Sequence, residues 1–234
     1  MAVIPLPVRR PAVNVTVVQN SAYGASGLVE KFIAAKGWRF RRTLSPDDII
    51  HTDLRQIGDD VMVFMGSPRG VYETHVQWIA RQRALMRRLV AQAAPVFGIC
   101  FGGQLLATAV GGTVAPMGFR YRGWRTNEHA AAPIWRGPWL RWHGDFITLP
   151  ESVEVFATDH GTVQAFRQGN AVGVQFHPEV DNALLRAWRC EADIANPVVA
   201  DAFAAAIRYA DTHATSIEDQ AFTLFEQVFA MLLG

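Results

Sequence analysis

The chain has little cysteine: two residues in 234, Cys100 and Cys190. Two cysteines cannot build a disulfide framework, so a reduced, cytoplasmic protein is the expectation. Charge is also sparse. Asp, Glu, Lys and Arg make up 18% of the chain and leave a net charge of +1. That balance offers no electrostatic basis for nucleic acid or an anionic membrane as partner. No run of about 18 apolar residues occurs, so no transmembrane helix is expected. The opening MAVIPLPVRRP lacks the charged-then-apolar order of a signal peptide, and residues 1–12 read as an extended arm. No internal repeat is present. What the chain does have is apolar surface, with 50% hydrophobic residues, which suits one large domain.

The apolar residues are arranged in short runs. VNVTVVQN (13–20), DVMVFMG (60–66) and PVFGI (95–99) are continuous and rich in β-branched residues, as buried strands are. WRFRRT (38–43) alternates and reads as a further strand. A loop feeds a helix across 21–37, with Gly37 placed to end it. Residues 73–92 carry Val76, Ile79, Met86, Leu89 and Val90 on one helical stripe, with arginines opposite. Strand and helix therefore alternate, which predicts a parallel sheet covered on both faces. After residue 112, WLRWH, EVFATD, TVQAFRQ and AVGVQF predict short antiparallel or mixed additions. The stretch 183–233 is helical again. Ser216 and Asp219 are spaced as a capping box ahead of Phe222, Phe225, Val228, Phe229 and Leu232. That apolar face requires cover, from its own domain, a second copy or another protein.

Three segments carry chemistry. In Gly98-Ile99-Cys100-Phe101-Gly102, a strand runs into a tight turn and then a helix. This is the cysteine form of a nucleophile elbow. The glycines relieve crowding, and the helix N-terminus favours a thiolate. The Phe101 N–H is placed to donate to an oxyanion. In His177-Pro178-Glu179, residues i and i+2 of an extended stretch share a side, so the carboxylate can orient the imidazole. In Gly66-Ser67-Pro68, a glycine-led turn can aim a second N–H at the thiol. Each has a plainer reading when taken singly: a packed cysteine, a solvated histidine, an ordinary turn. A metal site drawn from His143, Asp145, Asp159 and His160 is another option, although no ligand pair on one helix supports it.

In this order, GSPRGVYE, GICFGGQ and VGVQFHPE, with Trp142-His143-Gly144-Asp145, resemble class I glutamine amidotransferases. The closest likeness is to the glutaminase domain of GMP synthetase and its stand-alone relatives. The resemblance implies a flavodoxin-like three-layer α/β/α sandwich with a mostly parallel central sheet, a small β extension and additional C-terminal helices. It places the amidotransferase domain at 13–190 and a helical extension on the same domain at 191–234. It implies Cys100 as nucleophile, His177 as general base and acid, and Glu179 as orienting carboxylate. It also implies Gly66 and Phe101 as oxyanion donors, and Gln104, His143 and Gly144 at the substrate. No metal and no organic cofactor is implied. The implied substrate is glutamine or another γ-glutamyl compound. A separate synthase subunit or a homodimer is the implied assembly. Ser67 departs from the second glycine usual before the proline, and no Ser-Gly-Gly-Val-Asp motif occurs. An independent γ-glutamyl peptide hydrolase and a degenerate binding protein are the alternatives.

Other features have bland readings. FRYRGWR (119–125) fits an amphipathic strand. Trp135, Trp139 and Trp142 read as core or rim packing, with a place for one of them at the border of a substrate pocket. His51, His75, His129 and His213 read as surface groups, and Cys190 as a buried small hydrophobe.

Overall fold

The computed structural model describes residues 13–22, 24–51, 53 and 60–234. The arm expected at 1–12 lies outside them. The continuous apolar runs become the centre of the sheet. β1 (Asn14–Val18), β3 (Val61–Phe64) and β4 (Val96–Ile99) have almost no exposed positions. Strands buried on both faces have no polar side to alternate with. β2 (Arg39–Leu44) lies at one edge. β10 (Ala171–Val174) continues the sheet beyond β4. These five strands run parallel.

β9 (Thr162–Gln168), β8 (Glu154–Asp159) and β6 (His129–Ala130) complete eight strands in antiparallel fashion, in the order β2-β1-β3-β4-β10-β9-β8-β6. β5 (Thr113–Arg125) and β7 (Trp139–Thr148) form a separate antiparallel pair. The expected flavodoxin-like α/β fold, with a mixed and mostly parallel sheet, is what the chain adopts.

Helices cover both faces. On one lie α3 (Gln77–Ala91) and α4 (Phe101–Ala109), whose apolar stripes enter one core cluster with Met62, Phe64 and Val96. α2 (Pro46–His51) adds Ile49 to it. On the other lie α1 (Leu28–Ala35) and α8 (Ala214–Leu233). α8 buries Ile217, Ala221, Leu224, Phe225, Val228, Phe229 and Leu232, a spacing of three and four that makes one face. That face meets α1 directly: the Phe32 ring lies 5.5 Å from each of Phe222, Phe225 and Phe229. α5 (Pro133–Arg136) is a single turn. α6 (Asn182–Glu191) and α7 (Pro197–Thr212) precede α8 and start on side-chain caps from Asp181 and Asn196. Among the described residues, no helix is long and apolar enough to cross a membrane.

Two expectations need correction. The capping box at Ser216 does not form. α8 follows α7 after one residue, His213, so it has already begun at Ala214. The Ser216 hydroxyl donates instead to the His213 carbonyl, 2.9 Å away. Cys190 is exposed rather than buried. It lies off the stripe of Leu184 and Leu185 that α6 turns inward.

Candidate active site

β4 delivers Cys100 to the sheet's C-terminal edge and α4 carries the chain away. Cys100 has φ 52°, in the left-handed region that non-glycine residues rarely occupy. Its neighbours explain why the turn tolerates this. A Cβ at Gly98 would come 2.5 Å from the Gly102 carbonyl, and one at Gly102 would collide with the Phe64 backbone. The backbone can close only without those side chains. The Cys100 N–H donates to the Val174 carbonyl at 2.8 Å, tying the elbow to β10. Phe101 opens α4, so its N–H belongs to the first turn, where no helical carbonyl accepts it. Its ring is buried beside Trp78.

β10 leads directly to the histidine. Gln175 lies in the bend that follows it, His177 bridges to Leu140, and Pro178 and Glu179 form a turn. His177 Nδ1 hydrogen-bonds Glu179 Oε1 at 2.7 Å, and both residues are buried. Its backbone N–H donates to the Leu140 carbonyl at 2.9 Å. Burial works against charge on this imidazole. The Glu179 carboxylate, together with the Cys100 sulfur, outweighs it and raises His177 to about 10. The arrangement thus favours an imidazolium beside the Cys100 sulfur. Gly66, at the end of the β3 turn, stands beside both groups. A Cβ there would lie 3.2 Å from His177 Cε1 and 3.7 Å from Cys100 Cβ.

Gln175 was given no role by sequence reasoning. Its Nε2 donates toward Cys100 Sγ at 3.6 Å, and its Oε1 accepts from Gln104 Nε2 at 3.1 Å. Gln175 lies inside VGVQFHPE, two residues before His177, which is the signal that could have found it. Gln104 therefore serves the cysteine's surroundings through its amide nitrogen.

Cys100, His177, Glu179, Gly66, Gln104, His143 and Gly144 line one cavity of about 460 Å³. His143 is buried within its wall. Burial lowers it to about 3, so it is neutral. Nδ1–H donates to the Asp145 carbonyl at 3.0 Å, which leaves Nε2 as a lone pair without a partner among the described residues. Sequence reasoning also missed Tyr72, Arg120, Trp188 and Phe203, which reach the cavity from four other elements or loops. Tyr72 lies inside GSPRGVYE and Arg120 inside FRYRGWR, whereas no motif marks Trp188 or Phe203.

The metal-ligand set considered from sequence divides. His143 and Asp145 line the cavity, whereas Asp159 and His160 do not. Ligand atoms of Asp159, His160 and Glu128 come within 4.8 Å of one another. The buried Arg141 already pairs with Asp159 there, and a guanidinium repels a cation.

Residues 38–186 match the family model described as glutamine amidotransferase class-I. A GMP synthase [glutamine-hydrolyzing] from Nocardia farcinica is 39% identical over 130 residues, which are 51% of this chain and 23% of that protein. Its counterpart from Thermomicrobium roseum is 34% identical over 146 residues, 58% of this chain and 26% of that one. The matched stretch thus spans about a quarter of these relatives. A glutamine amidotransferase structure from Thermotoga maritima superposes with a TM-score of 0.81 at 22% identity, covering 94% of this chain and 99% of that one. A glutamine amidotransferase structure from Methylobacillus flagellatus gives 0.74 at 25% identity, with 95% of each chain covered.

Proposed function

The chain belongs to the class I glutamine amidotransferases, and on that premise we propose that it hydrolyses a γ-glutamyl amide through a thioester on Cys100. The observation that supports this most is the buried His177, held by Glu179 and raised to about 10 beside the Cys100 sulfur. A thiolate attacks the amide carbon, and the N–H groups of Phe101 and Gly66 receive the oxyanion. His177 gives its proton to the leaving nitrogen as the C–N bond breaks. Water then adds to the thioester with His177 as base, the C–S bond breaks, and glutamate leaves. Glu179 holds the imidazole tautomer and offsets its charge.

Gln104, His143 and Gly144 stand on the cavity wall that takes the glutamyl group. With glutamine as substrate the leaving group is ammonia, and a separate synthase subunit is its candidate recipient. An independent hydrolase that releases an amine uses the same residues and needs no recipient.

Incubation of the full chain with L-glutamine, followed by acid quench and intact-mass measurement, tests the reading. A γ-glutamyl adduct on Cys100 that is absent from Cys100→Ser is the expected result. Glutamate release that continues unchanged in Cys100→Ser overturns it.

A further inference from the structure

The cavity has more room than glutamine needs. Even at about 30 Å³ per non-hydrogen atom, the share of a whole water molecule, glutamine takes up about 300 Å³. The space beside Cys100 is about 460 Å³.

Two groups of residues on the cavity wall differ in chemistry. His143, Gly144 and Arg120 stand together: a Cβ on Gly144 would lie 2.8 Å from Arg120 Cγ. Those groups suit the charged amino-acid end of a glutamyl chain. Around His177 the wall is aromatic. The Trp188 ring meets the imidazole edge to face, with centroids 4.9 Å apart. Leu140 bridges to His177, and Trp142, two residues further along β7, shares its side of the strand. Trp142 in turn lies 4.2 Å from Phe203. All three aromatic residues line the cavity. Trp188 and Phe203 lie beyond residue 186, where the match to the family model ends.

The reaction decides which of these groups a substituent meets. The leaving nitrogen takes its proton from His177, so any substituent on it extends along the His177 side. Ammonia has no substituent and gains nothing from apolar rings there. We propose that the substrate is an N-substituted γ-glutamyl amide whose amine carries an apolar, planar group packed against the aromatic wall of Trp188, Trp142 and Phe203. This rests on the hydrolase reading above and names its substrate class. Cys100 Sγ bonds the amide carbon, the C–N bond breaks, and the His177 proton leaves with the amine. Water then replaces sulfur at the acyl carbon. The net change is one amide and one water giving one glutamate and one amine.

The test compares L-glutamine, γ-glutamyl-ethylamide and γ-glutamyl-benzylamide on the full chain, with product release and acyl-enzyme followed separately. kcat/KM is expected to rise in that order, by roughly tenfold or more from glutamine to the benzylamide. In Trp188→Ala and in Phe203→Ala the benzylamide-to-glutamine ratio is expected to fall about tenfold. The ratio is read because it cancels a general loss of His177 function. A wild-type preference for glutamine, or a ratio that both variants leave unchanged, overturns the proposal while the hydrolase reading stands. Absence of acyl-enzyme with all three amides removes both.

Discussion

The carbonyl oxygen of Glu179 accepts the Leu28 amide at 2.8 Å, so the residue that orients His177 also anchors the start of α1. Its two ends serve different elements. The side chain holds the imidazole, and the backbone occupies an orphan donor of a helix that carries part of the core. Gly27 precedes Leu28 with φ 48°, and a Cβ there would collide with that same carbonyl. Gly27→Ala is therefore expected to cost at least about 1–3 kcal/mol of stability. Acylation should also slow, because Glu179 is displaced. Urea denaturation, with acylation rates measured well below the midpoint, separates the two effects.

The two cysteines should behave oppositely. Cys190 is exposed and Cys100 is buried at the elbow. Cys190→Ser is expected to leave turnover within about twofold, as surface substitutions do. Cys100→Ser is expected to lose acyl-enzyme entirely, with an unchanged circular dichroism spectrum. Glutaminase assays on both variants check the pair.

The raised His177 predicts a pH dependence of stability. In the unfolded chain the imidazole loses its proton near 6.5, whereas in the folded protein it holds it to about 10. Between those values the folded state binds more protons, so its stability falls as pH rises. The contribution is complete below pH 6.5 and gone above about 10. In Glu179→Gln a leading support of the charge is missing, so the stability gap to wild type should be widest near pH 6 and narrow toward pH 10. Denaturation midpoints across that range check it. Glu179→Gln should also slow acylation less than His177→Ala, since the base remains.

Gly66 leaves little room for a side chain. A methyl group would stand 3.2 Å from His177 Cε1, so the ring must give by a few tenths of an ångström. Gly66→Ala is expected to lower kcat by roughly tenfold, since misplacement of about 1 Å costs about a hundredfold. Stability should change little by comparison. Single-turnover kinetics beside a denaturation curve distinguishes the two.

The α8 face predicts a stability effect with no chemical component. Phe225 is buried against Phe32 and Phe97. Phe225→Ala is expected to cost about 3–5 kcal/mol, seen as a lowered urea midpoint at unchanged acylation rate. Removal of 214–234 would uncover that side of α1 and the sheet and is expected to yield insoluble protein.

The parts of the site legible in the sequence are those set by local backbone. Cys100 is announced by glycines at fixed offsets, and His177 and Glu179 by the His-Pro-Glu run that closes a buried apolar strand. The central strands are legible because burial on both faces leaves a continuous apolar run. What escaped is what the fold brings from far along the chain. Arg120 comes to the cavity from β5 and Phe203 from α7, and the spacing of the elbow or of His-Pro-Glu predicts neither. The capping box at Ser216 failed for the reverse reason: its spacing was right, but a one-residue joint at His213 had already set the helix start. Cys190 misled because cysteine is more often buried than not, and the stripe of α6 is too short to overrule that prior.

The glycine-lined elbow gives the molecule two regions with unequal tolerance to sequence drift. Around Cys100, backbone lies against backbone, and a single added methyl group at Gly98 or Gly102 meets main-chain atoms that cannot move aside. Across the cavity, Trp188 and Phe203 are side chains on α6 and α7, where exchange alters a wall and leaves the turn intact. Related chains can therefore diverge in which amide they accept while keeping one nucleophile geometry, with variation collecting on the two helices and almost none at the elbow.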